Sequence, residues 1–163
     1  MATITKRPIP MNGFRMRDGS YPVIRWYTEA DSQSFVVGDL VYTNSGALTE
    51  CGADPALILG VALADATNVT SGNASLPVLV LTNNTEVSMN VYHATEASAT
   101  FSDDSGLNTA YEINTPAAGI WTIDIAATSS TRVHITEYMD AKGDLYMRCW
   151  VAFMGATLQA ETA

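Results

Sequence analysis

The 163-residue sequence has few of the residue types that build catalytic or metal sites. It contains two cysteines, Cys51 and Cys149, and two histidines, His93 and His134. Neither cysteine belongs to a CxxC pair, so we expect two small buried side chains in a reducing compartment, not a zinc site or a disulfide. Nucleophile-elbow, phosphate-loop and HExxH patterns do not occur. The sequence therefore predicts a protein that is not an enzyme and uses no cofactor or metal.

Long hydrophobic runs are also missing. No apolar segment reaches the roughly 18 to 20 residues of a membrane span, and the first residues lack the apolar core of a signal peptide. We therefore expect no membrane partner and folding in a cytoplasm. A chain of this length suits one domain with a sizeable core.

Positive charge is scarce and unevenly placed. The chain has 8 Lys and Arg against 17 Asp and Glu, a net charge of −9. A strongly acidic body argues against nucleic acid as a partner, because phosphate binding needs clustered cations. Five of the basic residues precede Trp26: Lys6, Arg7, Arg15, Arg17 and Arg25.

Prolines and glycines interrupt the basic N-terminal region. They disfavour a regular element, so we expect residues 1–20 to be an extended basic arm that a partner orders, ahead of a single β domain at 21–163. An ordinary flexible terminus is the alternative. In the first reading Lys6, Arg7, Arg15 and Arg17 contact an acidic partner surface, and deleting residues 1–20 leaves folding intact.

The stretch from Phe35 to Leu81 has the pattern of a compact β unit. A β-branched and aromatic segment ends at Asn44-Ser45-Gly46, where glycine supplies the positive φ that a hairpin needs. Residues 52–55 break the pattern, and apolar runs follow at 56–64 and 76–81. Gly60, inside the first run, indicates a bulge or a close backbone contact.

Later segments alternate with the period of two that marks strands with one buried face. Residues 86–92 place Val87, Met89 and Val91 on one face and Ser88 and Asn90 on the other. Two further strands are expected at 119–125 and 132–138, with Thr122 and Asp124 facing outward in the first. The predicted fold is all-β, a small antiparallel β-barrel or β-tulip-like sandwich with an extended N-terminal arm.

The segment 145–154 differs because it is apolar on both faces for most of its length. Either it lies in the middle of the domain or another subunit covers its second face; we prefer the second reading for Tyr146, Arg148 and Trp150. Trp26, on an expected entry strand, either covers one end of the core or lies at an interface. The sequence leaves that choice open.

Several short patterns together resemble the head-decoration, or cement, proteins of tailed bacteriophages. They are Val37 to Tyr42 with the Ser45-Gly46 turn, Ile58 to Ala66, Leu76 to Leu81, Trp121 to Asp124, Val133 to Tyr138 and Arg148 to Phe153. The resemblance covers about residues 35–159. It implies a small β domain, assembled as a homotrimer, that binds the major capsid protein at threefold or quasi-threefold positions outside the expanded head. It also implies a virion protein made in the host bacterial cytoplasm.

Two other functions remain open. A carbohydrate- or receptor-binding module would align Trp26, Trp121 or Trp150 along a solvent-facing groove. An enzyme built from carboxylates would bring acids with raised pKa values together in a deep pocket.

Overall fold

A computed structural model describes residues 1–53, 55–71 and 73–160. Asp54, in the predicted break, and residues 161–163, at the end of the predicted β domain, lie outside the described residues. The regular elements are α1 (Ile9–Asn12), β1 (Phe14–Met16), β2 (Ile24–Thr28), β3 (Leu40–Asn44), β4 (Ala47–Glu50), β5 (Gly60–Ala62), β6 (Ser75–Val80), β7 (Thr85–Tyr92), β8 (Ala110–Ala117), β9 (Ile120–Asp124), β10 (Val133–Tyr138) and β11 (Arg148–Phe153), with 3₁₀ turns at Glu96–Ser98 and Gly155–Thr157.

Five strands form a closed barrel in the order β7, β11, β10, β8, β9. Four neighbouring pairs are antiparallel, and a parallel pairing of β9 with β7 completes the ring. Closure removes the unpaired edges that an open sheet leaves. The all-β barrel fold predicted from the sequence is confirmed.

Alternating side chains of the barrel strands fill its interior. Val87, Met89 and Val91 of β7 are fully buried there, as are Val133 and Ile135 of β10. The same buried cluster continues into the second sheet of the molecule through Leu40, Val61 and Leu79. One apolar core therefore joins the two sheets.

The second sheet has the order β2, β6, β5, β3, β4 and contains the β unit predicted for 35–81. Ser45 and Gly46 connect β3 to β4 with positive φ at both positions, 51° and 85°. A two-residue loop of this kind matches the twist of the strands that it joins. The predicted hairpin is confirmed.

Gly60 is the point of closest backbone approach in this sheet. A Cβ at Gly60 would lie 2.1 Å from the carbonyl oxygen of Leu79 and 2.7 Å from a methyl group of Val78. The close contact expected at Gly60 is therefore present, and it allows β5 and β6 to pack tightly.

The second sheet curls but joins its two edges at one end only. The Ala30 N–H donates to the Leu48 carbonyl oxygen at 2.8 Å, beside an isolated bridge between Glu29 and Leu48. A second buried cluster fills the curl: Phe35, Val41, Leu48, Leu59, Ala62, Leu76, Val78 and Val80.

The N-terminal region is not the unattached arm that the sequence analysis predicts. Residues near Thr3 pair with Leu145, α1 places Ile9 in the core with no exposed surface, and β1 pairs antiparallel with β7. The prediction missed this docking because proline and glycine interrupt long elements without preventing short ones. The expectation that residues 1–20 wait for a partner to become ordered is therefore wrong.

The prediction of a single buried face on β7 is also wrong. Glu86, Ser88 and Asn90 point away from the barrel interior, yet they are as buried as the apolar residues between them. Residues 1–17, the N-terminal segment, cover them. Thr122 of β9, expected to face solvent, is likewise fully buried and donates its hydroxyl to the Asn114 carbonyl oxygen.

Both explanations for the two apolar faces of the segment 145–154 apply in part. β11 lies between β7 and β10, with Cys149 and Val151 buried, and Met147, just before the strand, is buried as well. Tyr146 and Trp150 are half-buried, and side chains of the N-terminal segment lie over their rings. The structure thus provides, within one chain, a cover that the sequence analysis assigned to another subunit.

Candidate interaction surfaces

The polar face of β7 is satisfied by the N-terminal segment. The Asn90 side-chain oxygen accepts hydrogen bonds from the Arg7 backbone N–H at 3.1 Å and from the Asn12 side chain at 2.9 Å. Its amide nitrogen donates to the Tyr146 carbonyl oxygen at 2.7 Å. A buried amide is costly unless hydrogen-bonded, so these contacts fix the segment in place.

Two arginines of the predicted partner-binding set converge on one buried acid. Arg15 Nε lies 2.7 Å from Glu86 Oε2, and Arg17 Nε lies 3.3 Å from Glu86 Oε1. Arg15 also contacts exposed Glu137 at 2.7 Å. Burial opposes ionisation of Glu86, but the arginines and a hydrogen bond from Thr136 outweigh it and hold its pKa below the ordinary value. Part of the basic charge of the segment therefore balances an acid of its own barrel.

Two of the predicted partner-binding residues, Lys6 and Arg15, also lie over aromatic rings. Lys6 Nζ lies 4.3 Å from the centre of the Tyr146 ring, and the Arg15 guanidinium lies 4.4 Å from the Trp150 ring. Arg7 is exposed. Arg15 and Arg17 keep 41% and 47% of their side-chain surface exposed, so an external acidic group can still reach them.

Arg148, one of the predicted interface residues, is held by Asp140. Its Nη2 and Nε lie 2.7 Å and 3.0 Å from the two carboxylate oxygens. The hydrogen bonds from Arg148 lower the Asp140 pKa, although burial opposes ionisation. The structure thus places Arg148 and Trp150 on the outward face of β11, with Tyr146 two residues before the strand begins, and their role at a subunit interface stays a prediction.

Trp26 lies elsewhere, on the opposite sheet, and is the most exposed tryptophan. It is 66% exposed, and Ile24, on the same face of β2, is 51% exposed. Tyr21, shortly before β2, is 93% exposed. Large apolar side chains grouped on one segment of a folded surface are typical of an interaction site.

β2 is also an edge strand with a groove beside it. The groove has a volume of 510 Å³. Its lining residues come from β2, the floor of the second sheet and the C-terminal region: Val23, Arg25, Tyr27, Thr43, Leu59, Val80, Thr82, Gln159 and Ala160. Arg25 is the one charged side chain among these described residues.

Asp39 forms a joint between the two sheets that the sequence analysis missed. Its carboxylate accepts hydrogen bonds from the backbone N–H groups of Gly119 at 2.7 Å and Val36 at 2.9 Å, and from the Trp121 indole at 3.2 Å. Gly38 and Gly119 approach so closely that a Cβ at Gly38 would lie 2.5 Å from the Gly119 oxygen. In the sequence, Gly38 and Asp39 appear only within the Val37 to Tyr42 pattern, and residue spacing does not reveal their long-range partners.

Glu29 is a second buried acid that reasoning from the sequence missed. Only 1% exposed, it accepts hydrogen bonds from the hydroxyl and the N–H of Thr67 and from the Ala74 N–H at 3.3 Å. Burial opposes its ionisation, but these bonds outweigh that effect and lower its pKa. The contacts hold the long connection between β5 and β6 against β2.

Every described carboxyl group with a displaced pKa is displaced downward. At Glu29 and Glu86 burial is the largest single influence and raises the pKa, but hydrogen bonds, joined at Glu86 by nearby charges, outweigh it. At the other four acids the largest influence is a hydrogen bond that lowers the pKa. The six groups are Asp18, Glu29, Glu86, Asp103, Glu112 and Asp140. The carboxylate-enzyme hypothesis predicts raised values, so these groups do not support it.

The tryptophans do not form the groove that a carbohydrate-binding module would need. Trp121 is 1% exposed and donates a hydrogen bond to Asp39, and Trp150 lies under Arg15 on β11, in a different sheet from β2 and Trp26. Both cysteines are buried and unpaired, and burial raises the pKa of Cys51 to about 12.

The described ranges contain no group of three or more His, Cys, Asp or Glu side chains placed to hold a metal ion. Within the same residues, no helix has the length and apolar character needed to cross a membrane.

Comparison with known proteins adds no family assignment. No protein-family model matches the chain, and no curated protein sequence matches it.

Proposed function

We propose that this chain is a structural virion protein that decorates the outside of an expanded bacteriophage head and stabilises it as a homotrimer. The observation that carries the proposal is the group of three large, exposed apolar residues, Tyr21, Ile24 and Trp26, on and just before one edge strand. Such a surface gains free energy when another protein covers it. The sequence patterns shared with head-decoration proteins support the choice of partner.

Stabilisation by such a protein needs binding energy and no catalysis. A ligand that binds only the expanded lattice stabilises that lattice by RT ln(1 + [L]/Kd), about 2.7 kcal/mol at a hundredfold excess over Kd. A trimer that engages several shell subunits together gains about 10² to 10⁴-fold in avidity over one contact.

The basic N-terminal segment takes part from its docked position. Lys6, Arg7, Arg15 and Arg17 contact acidic groups of the capsid, while Arg15 and Arg17 also contact Glu86 of their own barrel. The remainder of the chain is strongly acidic, with a net charge of −9 for the whole, and this charge keeps free copies soluble before docking.

The proposal is tested in two steps. Light scattering of the purified chain should give about three times the 17.4 kDa mass of one copy. Cosedimentation with expanded and unexpanded heads, assembled from the major capsid protein of the same genome, should then show binding to the expanded form alone. Equal binding to both forms, or none to either, would overturn the proposal. If the chain is a monomer and still binds expanded heads, the proposed trimer is wrong and the proposed capsid partner stands.

A further inference from the structure

β2 has one row of backbone groups that the second sheet leaves unpaired. In the ladder with β6, Val80 N–H donates to the Val23 carbonyl oxygen and Glu29 N–H donates to the Ala74 carbonyl oxygen. Backbone groups of an antiparallel strand alternate in direction, so Val23, Arg25, Tyr27 and Glu29 point toward β6. Ile24, Trp26 and Thr28 therefore point their N–H and C=O groups to the opposite side.

The sheet satisfies only the last part of this outward row. In the parallel bridge between Glu29 and Leu48, the Leu48 backbone pairs with the Thr28 carbonyl oxygen and with the Ala30 N–H, the latter at 2.8 Å. For Ile24, Trp26 and the Thr28 N–H, the part of the chain that the structure describes contains no backbone partner on that side. An exposed edge of this kind is a template on which another strand can pair.

Side chains of an added strand could contact apolar or aromatic residues on both faces of this edge. On one face Ile24 and Trp26 are exposed. On the other, Arg25 and Tyr27 reach into the 510 Å³ groove, whose floor includes Leu59 and Val80. A strand added to β2 would alternate between these two faces.

We propose that the free edge of β2 is a strand-addition site for an extended segment of the shell protein that carries a carboxylate opposite Arg25 and apolar side chains around it. The inference deepens the proposed function and rests on it. Backbone hydrogen bonds to Ile24, to Trp26 and to the Thr28 N–H supply the affinity, and the groove supplies the selection of side chains.

Charge favours another protein over a second copy as the occupant. Antiparallel pairing of two β2 strands about Trp26 sets Arg25 of each copy diagonally across from the other, and residues 24–28 contain no acid to balance them. A segment that brings its own carboxylate gives Arg25 a bidentate partner instead.

Thr28 allows a matched test of the backbone contacts. Thr28→Pro removes an N–H that points to the free side and leaves the bonds to β6 intact, while Thr28→Ala removes only the side chain. In the head cosedimentation assay, Thr28→Pro should bind about tenfold more weakly than wild type and Thr28→Ala within about twofold. Arg25→Glu should also lose about tenfold or more, because it repels the carboxylate.

Hydrogen exchange of the wild-type chain provides a measurement that needs no variant. The amides of Ile24, Trp26 and Thr28 should exchange quickly in the free protein and become protected on expanded heads. Wild-type binding without that protection, or equal binding by Thr28→Pro and Thr28→Ala, overturns the inference and leaves the proposed function standing.

The other outcomes are equally informative. If wild type binds no heads, both proposals fall together. If Thr28→Pro or Arg25→Glu changes the oligomeric mass in solution, the edge belongs to a second copy, and its assignment to a shell segment is wrong.

Discussion

The barrel has paired edges, whereas the second sheet leaves one edge strand largely unpaired. The parallel pairing of β7 with β9 closes the barrel, and the N-terminal segment covers its polar outer face. Among the described residues, the second sheet joins its edges at one end only, where Leu48 pairs with the chain from Thr28 to Ala30, and it leaves the first part of β2 open. Substitutions in the joints of the barrel should therefore cost stability, and substitutions on β2 should cost binding.

The largest effect is expected from removing the N-terminal segment. Deleting residues 1–16 takes Ile9 from the core and leaves Glu86 without Arg15. A cavity and a poorly balanced buried charge together should lower the free energy of unfolding by roughly 5 kcal/mol or more. Urea denaturation followed by tryptophan fluorescence measures this. The deletion therefore tests stability, contrary to the sequence-based expectation that folding survives it.

Arg7→Ala is the control for that deletion. Arg7 contacts Asn90 through its backbone N–H, which the substitution keeps. It should leave stability within about 0.5 kcal/mol of wild type. A truncated chain as stable as the full one would show that the barrel does not need its cover.

The joint between the two sheets should be the next most sensitive point. Asp39→Ala removes the acceptor of three hydrogen bonds and leaves buried N–H groups unpaired, a loss of roughly 2 to 4 kcal/mol. Asp65→Ala is a matched control, because exposed Asp65 accepts a single bond from Val37 N–H in the same turn. Similar midpoints for the two variants in thermal denaturation would contradict the role given to Asp39.

Close packing inside the second sheet predicts a comparable but smaller loss. Gly60→Ala forces a methyl group against the Leu79 carbonyl oxygen and should destabilise by roughly 1 to 3 kcal/mol. Gly155 has no heavy atom within 4 Å of an added Cβ, so Gly155→Ala should be nearly neutral. Equal urea midpoints would show that β5 and β6 separate easily.

The pH dependence of stability should identify Glu86. Its pKa in the folded protein lies below the ordinary value of 4.5, so its contribution is complete above that pH and is lost as the pH falls through the folded-state pKa. Glu86→Gln should cost about 1 to 3 kcal/mol at pH 7 and flatten the acid limb of a stability-against-pH curve. Glu137→Gln, which alters the exposed partner of Arg15, should cost less than about 1 kcal/mol.

The smallest effect on folding should come from the exposed edge. Trp26→Ala should change the free energy of unfolding by less than about 0.5 kcal/mol, since most of the side chain already contacts water. The same variant should weaken head binding severalfold. A large loss of stability would show that Trp26 supports the sheet and is not reserved for a partner.

The local part of this fold could be predicted from the sequence, and the long-range part could not. Turn residues at Ser45-Gly46 and the alternation of Val133 with Ile135 depend on neighbours a few positions away, and both predictions are confirmed. The burial of Ser88 and Asn90 depends on a segment about 80 residues earlier. A period of two reports which side chains share a face, but not what covers that face.

The candidate sites divide in the same way. Sequence reasoning selected Trp26 without deciding between core and interface, and the structure shows that it is exposed. The sequence could not pair Arg15 with Glu86 or Asp39 with Trp121. One available signal was a basic N-terminal segment followed by an alternating strand with an acid on its polar face. Opposite charges on two short elements indicate a contact between them only if their register is known.

The docking of β1 on β7 and β11 has a consequence for biosynthesis. The ribosome releases Phe14 to Met16 long before their ladder partner around Val87, and the Trp150 ring beneath Arg15 emerges later still. Because the docked position of β1 uses both β7 and β11, its contacts are complete only after β11 has been synthesised. We therefore expect chaperone contacts during synthesis to concentrate on residues 1–17 and to decline once β11 has emerged from the ribosome.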